Sequence, residues 1–319
     1  MRKLSLLLGL VLTLLMGGSL FIGTLPLDLL LQNASVLWEL RFPRMLIAVS
    51  MGVSLGLTGA VLQGFLRNPL AEPGIMGISS AAALGAVMVI ALGLGGSHLF
   101  AVPLAGMMGV VGVTFFLYKL MQKHPNPLTL ILTGLALNSL LGALMTLILT
   151  LSHNPYASLE IIFWLLGSFA HHSLGQVAFV IPLSVAGWII LWRLRFTLET
   201  LSLGEEMAIV LGASPKKMYG FLILGMALSL GPLVSLVGVV GFIGLLVPHM
   251  LRPFVDHKPA DLLLPSALGG GIMALAADMV VRLLSNHIDL KVGVLTSLMG
   301  TPFFLYLLLK QPRSSHATF

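Results

Sequence analysis

Three arginines, one carboxylate and two glycine- and proline-rich segments carry most of the chemical potential of this sequence. Arg41 and Arg44 stand three residues apart with Pro43 between them. A guanidinium can hold a carboxylate through two parallel N–H bonds, so such a pair forms a stiff basic point. The same two residues also suit the role of interfacial anchors that lay their stems along apolar surface. Arg282 follows Asp278 by four residues, a spacing that allows an ion pair across one helical turn. Local pairing and a transport role both remain open for Asp278. In Arg67-Asn68-Pro69-Leu70-Ala71-Glu72-Pro73-Gly74 two prolines break a helix, and Gly74 is placed to make the turn. Asn68 reads there as a local cap or as a pore-facing amide. The stretch from Gly238 to Arg252 runs through Gly241 and Gly244 into Pro248-His249. Its glycines suit close helix packing, and His249 suits a helix-end cation.

Other chemistry is missing. There is no G-x-x-x-x-G-K-[ST] phosphate loop, no H-E-x-x-H and no G-x-S-x-G. The sequence has no cysteine, which removes disulfides and thiolate ligands. His171-His172 reads as a solvated loop pair, with a metal or haem contact as the alternative. No catalytic residue, cofactor or metal site is expected. A membrane-embedded enzyme would need clustered nucleophiles, metal ligands or paired acids. An ion-coupled secondary transporter, the rival from another class, would need carboxylates deep in the membrane. Only Asp278 comes near that position, so a pump-like task would need energy from another chain.

The elements that must position these groups are membrane helices. Of 319 residues, 57% are hydrophobic and 9% charged, against about 25% charged in soluble domains. Apolar runs of about 20 residues cross a bilayer. Such runs lie near 4–23, 44–66, 76–95, 100–121, 128–151, 174–193, 218–237, 262–284 and 293–310. The shorter 238–251 is a half-span or re-entrant helix, and it brings the count to ten. Ten crossings leave Arg41, Arg44, Arg282 and Lys291 outside and put the other basic residues, through Lys310 and Arg313, in the cytoplasm. That split follows the positive-inside rule and places both termini in the cytoplasm. The first run, behind Arg2-Lys3, is read as a span in preference to a cleaved signal. Scattered single cations do not suggest nucleic acid. The expectation is one all-α integral membrane domain over 1–319.

Ser202–Tyr219 is the longest polar stretch on the cytoplasmic side. Ser202 and Glu205 have capping-box spacing. Gly212 suits a left-handed helix end, and Ser214-Pro215 suits an N-cap and first helical residue. Two short helices are expected here, with apolar surface from Met207, Ile209, Val210, Leu211, Met218 and Tyr219. Together they would form a docking knob for a cytoplasmic partner.

Four stretches in order resemble the FecCD family, the permeases of type II ABC importers for siderophores, haem and cobalamin. They are Arg41–Arg44, Arg67–Gly74, Gly241–Arg252, and Ala277–Arg282 with the later Val292–Thr296. The resemblance covers nearly the whole chain and implies a type II ABC importer permease fold of about ten transmembrane helices in the bacterial inner membrane. It implies a homodimer, or a pair with a close homologue, and two cytoplasmic ATP-binding subunits. A periplasmic or lipid-anchored substrate-binding protein would dock on Arg41, Arg44 and Arg282. The gate and translocation path would include Asn68, Leu70, Pro127 and Leu128. ATPase coupling would fall to Ser202, Gly204, Glu205, Glu206, Leu211, Gly212, Ala213, Ser214 and Pro215. The implied cargo is an iron complex, ferric siderophore or haem, with vitamin B12 as the alternative.

Overall fold

A computed structural model describes residues 2–23, 35–95, 98–152, 154–255, 258–285 and 288–310. Arg313, counted above among the cytoplasmic cations, lies outside the described residues. The chain is helical at every expected span. α1 is Arg2–Ser19, and α2 is Phe42–Phe65, entered through a π-helical turn Val36–Arg41. α3 (Ile78–Ala91), α4 (Ala101–Lys123), α5 (Pro127–Leu151), α6 (Pro155–Leu165) and α7 (Leu174–Arg193) follow. α8 (Arg195–Leu201) and α9 (Glu205–Val210) are short; α10 (Pro215–Val237), α11 (Ile243–Leu251), α12 (Pro259–Leu284) and α13 (Val292–Lys310) complete the chain. Seven stretches are long and apolar enough to cross a bilayer, and three shorter apolar helices bring the total to ten among the described residues.

Burial sorts these helices into a centre and a shell. In the apolar windows of α2 and α10, 83% and 78% of residues are buried, against 11% in α1 and in α5. The shell helices turn leucines outward: Leu6, Leu10 and Leu14 from α1, Leu132, Leu135 and Leu147 from α5. Such faces are stable only against lipid or another apolar surface. α2 packs most extensively on α12, and α10 packs on α7 and α4. The α2–α12 seam is built from glycine. A Cβ at Gly52 or Gly56 would run into the carbonyls of Gly270 or Ser266, and one at Gly59 into that of Gly244 on α11. Backbone against backbone is how membrane helices gain dispersion contact where water supplies no hydrophobic drive.

Several local expectations change. α6 was not foreseen; it starts at the cap Asn154, whose side chain accepts from the Tyr156 N–H at 3.0 Å. Gly74 sits inside a 3₁₀ turn, Pro73–Met76, and the left-handed residues of that connection are Arg67 (φ 49°) and Gly77 (φ 78°). The turn after Ser214 opens the long α10 in place of a second short helix.

Candidate functional site

The arginines expected on the outer side, Arg41, Arg44 and Arg282, converge, but on the protein's own interior. Arg44 Nε donates to both oxygens of Asp278, at 2.9 and 3.1 Å, and its Nη2 lies 2.8 Å from Oδ1. Arg282 Nε donates to Asp278 Oδ2 at 2.7 Å. Arg282 Nη1 donates to the Ser19 carbonyl at 2.8 Å, and Arg41 Nη1 to the adjacent Leu20 carbonyl at 2.8 Å. Those carbonyls close α1, where the helix dipole presents partial negative charge. α1, α2 and α12 are thus tied at one point by three cations and one carboxylate. Asp278 is 1% exposed, Arg282 6% and Arg41 7%, while the Arg44 side chain keeps 22%. Local pairing is what Asp278 does. Three freely presented guanidinium forks are not present in this conformation, because Arg44 and Arg282 are bonded to Asp278 and Arg41 to the Leu20 carbonyl. The cluster nevertheless carries two more positive charges than negative, with Arg44 at its accessible edge.

At the other end of α2, Asn68 is exposed, and its Oδ1 accepts from the Leu70 N–H at 2.9 Å. Asn68 thus makes a local cap through Oδ1, while its exposed side chain leaves the amide nitrogen open to the pore-facing role as well. Leu70 and Pro127 are partly buried, and Leu128 is exposed at the start of α5, where Asn126 caps the Leu128 N–H at 2.8 Å. The 73–76 turn is fastened farther along α5: Asn138 Nδ2 donates to the Gly74 carbonyl at 2.9 Å, and Ser80 Oγ donates to Asn138 Oδ1 at 2.6 Å. Asn138 lies ten residues past Leu128, about 15 Å along the helix.

Glu72 and Phe242, to which the sequence assigns no role of their own, join here. Phe242 has φ 66°, a conformation that costs a bulky residue energy and persists only where the surroundings hold it. Its N–H donates to Glu72 Oε1 at 2.7 Å, and its ring packs on Gly300 of α13. Burial pushes the Glu72 carboxyl up, against the downward pull of the Phe242 N–H. The signal was a lone carboxylate between two prolines in an apolar chain. Glu72, Ser79, Ser80, Asn138, Ser297 and Thr301 supply the polar lining of a pocket of ≈ 900 Å³ beside this junction. Below it, Gln63 is 1% exposed and clasps the start of α11. Its Nε2 donates to the Leu245 carbonyl at 3.2 Å, and its Oε1 accepts from Arg252 Nη2 at 2.8 Å. His249 meets Phe303 edge-on, centroids 6.4 Å apart.

The polar stretch after α7 places one short helix, α9, between α8 and the start of α10. Ser202 ends α8, its Oγ donating to the Glu199 carbonyl at 2.6 Å, so it caps nothing downstream. Gly204 (φ 109°) is the N-cap of α9, and Glu205 opens that helix. Spacing alone misassigned the capping box because the glycine turns the chain between its two members. Glu206 and Leu211 are exposed. Gly212 is left-handed at φ 91°, with its N–H on the Ile209 carbonyl, and the Ala213 N–H reaches the Ala208 carbonyl, both at 2.9 Å. Ser214 occupies the N-cap position of α10 without a side-chain cap bond, and Pro215 is the first helical residue. Met207, Ile209, Val210 and Leu211 remain exposed, whereas Met218 and Tyr219 enter the core. On the opposite side, His172 Nε2 lies 3.1 Å from the Ser168 carbonyl. Burial first of all pushes its pKa down, so only exposed His171 is the solvated residue expected of that pair.

Ten apolar helices among the described residues, with a broken, glycine-rich half-span beside a polar-lined pocket, are the architecture of a multi-pass membrane protein. The chain matches the FecCD transport family over residues 5–310, and it belongs to that family. It is 34% identical over 290 residues to the ABC transporter permease protein YvrB of Bacillus subtilis, covering 89% of this chain and 81% of that one. To the vitamin B12 import system permease protein BtuC of Salmonella typhi it is 35% identical over 280 residues, 86% of this chain and 84% of BtuC. A metal-chelate type ABC transporter solved in an inward-facing conformation superposes with a TM-score of 0.88 at 31% identity, over 97% of this chain and 100% of that one. The chain is therefore an ABC importer permease with the type II fold. Permeases of this type work with ATPase and binding-protein partners.

Proposed function

We propose that this permease carries a bulky metal chelate, a ferric siderophore or haem, across the bacterial inner membrane, driven by two separate ATP-binding subunits. The carrying observation is the lining of the pocket beside Phe242. Hydroxyls, one amide and apolar walls accompany a single carboxylate that is already bonded to a backbone N–H. Such a surface suits a cargo whose metal is already fully ligated, since a bare divalent cation calls for several converging oxygen, nitrogen or sulfur ligands. Cobalamin meets the same description and is favoured by the BtuC relationship. The test is uptake of labelled ferric siderophore, haem and cyanocobalamin in a permease-deficient host, with the cognate binding protein and ATPase supplied. Uptake of free metal alone would overturn the chelate reading.

Two permease copies, or one with a close homologue, face each other in this proposal. Pro127 and Leu128 then join Asn68 and Leu70 at the inner gate. Both termini lie in the cytoplasm, from the parity of ten apolar helices and the placement of basic residues. A reporter fused after Lys310 should be active only in the cytoplasmic format; periplasmic activity would sink this orientation.

The knob at α9 is proposed as the ATPase-docking element, through exposed Met207, Ile209, Val210 and Leu211. Gly212→Pro should abolish ATPase co-purification or uptake, because Pro cannot adopt positive φ and removes the N–H that closes α9. A mutant inserted normally and taking up cargo at the wild-type rate would refute the knob.

For the outer cluster, the excess positive charge around Arg41, Arg44 and Arg282 is proposed to steer an acidic binding protein. Arg44→Gln leaves Asp278 paired with Arg282. It should slow association several-fold at low salt and flatten the salt dependence, as rim charges do. Unchanged association kinetics would leave these arginines as internal clasps only.

A further inference from the structure

A second cleft opens between α4 and α10, outside the pocket beside Phe242, with its mouth next to the segment proposed for ATPase docking. It has a volume of ≈ 860 Å³ and is walled by Val111, Phe115, Tyr118, Phe221 and Leu224, all exposed. Glycine makes room for it: a Cβ at Gly220 would sit 3.1 Å from the Tyr118 ring. Its lining along α10 runs from Lys216 to Pro232, about 24 Å at 1.5 Å per residue. That exceeds one leaflet of a hydrocarbon core about 30 Å thick.

Its polarity is one-sided. The charged residues lining it are Lys216 and Lys217, both at one end, and no carboxylate lines it. Neither lysine makes an ion pair among the described residues. Lys123 lies in the last turn of α4 at that same end. Lys119 stands nearby with its Nζ 5.4 Å from the Phe115 ring centre. Gln122 Nε2 donates to the Lys216 carbonyl at 3.2 Å, which fixes the two helix ends together at the mouth. An apolar trough with a cationic mouth complements one kind of molecule, an amphiphile with apolar chains and an anionic head. Basic pockets between membrane helices are suited to the headgroups of anionic lipids.

We propose that this cleft is a binding site for an anionic phospholipid, its acyl chain along α4 and α10 and its phosphate at Lys216 and Lys217. The inner leaflet follows from the orientation proposed above; the site itself does not depend on it. The experiment is native mass spectrometry of the purified full chain after exposure to equal amounts of phosphatidylglycerol and phosphatidylcholine of matched chains. Two lysines at about 1 kcal/mol each predict a preference for phosphatidylglycerol of about tenfold or more. Lys216→Gln with Lys217→Gln should bring that ratio near parity while lipid is still retained. Gly220→Trp, which fills the trough, should lower retention of both lipids. Equal retention by the wild type, or an unchanged ratio in the double variant, overturns the proposal. Displacement of the lipid by soluble glycerophosphate would reassign the mouth to a free anion. Loss of self-association in Gly220→Trp without loss of lipid would reassign the cleft to a second copy. Each readout is independent of transport, so failure here leaves the chelate reading standing.

Discussion

Asp278→Ala should destabilise the purified chain by about 3–5 kcal/mol, the cost of leaving buried cations without their counter-charge. Asp278 receives Arg44 from α2 and Arg282 from one turn along α12, and Arg282 continues to the end of α1. Removing the carboxylate leaves the Arg282 guanidinium, 6% exposed, facing only carbonyl oxygen and the like charges of Arg41 and Arg44. A compensating change should recover much of the loss. With Asp278→Leu and Arg282→Met together, Arg41 is the one buried cation of the cluster that remains, still donating to the Leu20 carbonyl, and the partly exposed Arg44 can turn outward. Thermal unfolding in detergent, followed by near-UV signals, gives the comparison. A loss below about 1 kcal/mol for Asp278→Ala would mean that water reaches the cluster and that the pair is a surface one. Asp278→Asn separates structure from transport: normal stability with abolished uptake would return the carboxylate to a transport role. The same geometry shows why reversing all three arginines to Glu is a poor docking test. It would place three carboxylates around a buried one, and the bundle would fail before any partner could be assayed.

The helices were legible because bilayer thickness sets their length, and an apolar run cannot hide its own extent. The run 218–237 was matched to its C-terminal residue, and only its start moved, to Pro215. What stayed illegible depends on partners distant in sequence or on backbone sign. Glu72 and Phe242 lie 170 residues apart, so neither residue's neighbours announce the bond. Arg41 reads as an exposed interfacial cation until the end of α1, 21 residues earlier, is placed over it. Ser202 and Glu205 satisfied a spacing rule that assumes a continuous N-terminus, and the left-handed Gly204 between them voids that assumption. α6 escaped notice because its 11 residues fall short of a span and follow the end of α5 after three residues. Gly212, by contrast, was legible: after a short helix and before Ser-Pro, a glycine has few other tasks.

Gly56→Leu should be among the most damaging single substitutions in the bundle. The position lies at the α2–α12 seam, where a Cβ would meet the Ser266 carbonyl and the Cα of Gly270. Those obstacles are backbone, which cannot rotate away as a side chain does, so the two helices must separate along their length. Overpacking a core commonly costs about 1–3 kcal/mol. A separation here adds the lost contacts of Gly52 and Gly270, which oppose each other in the same seam, so the upper end of that range or beyond is expected. Gly56→Ala should already be harmful, although Ala is the better helix former by about 1 kcal/mol. Gly9→Ala is the control, since nothing lies within 4 Å of a Cβ there. It should be neutral or mildly stabilising. Unfolding temperatures of the three variants, purified alike, decide the matter. If Gly56→Ala behaves as Gly9→Ala does, the helices tolerate a wider separation, and the close α2–α12 approach is not what holds the centre of this permease together.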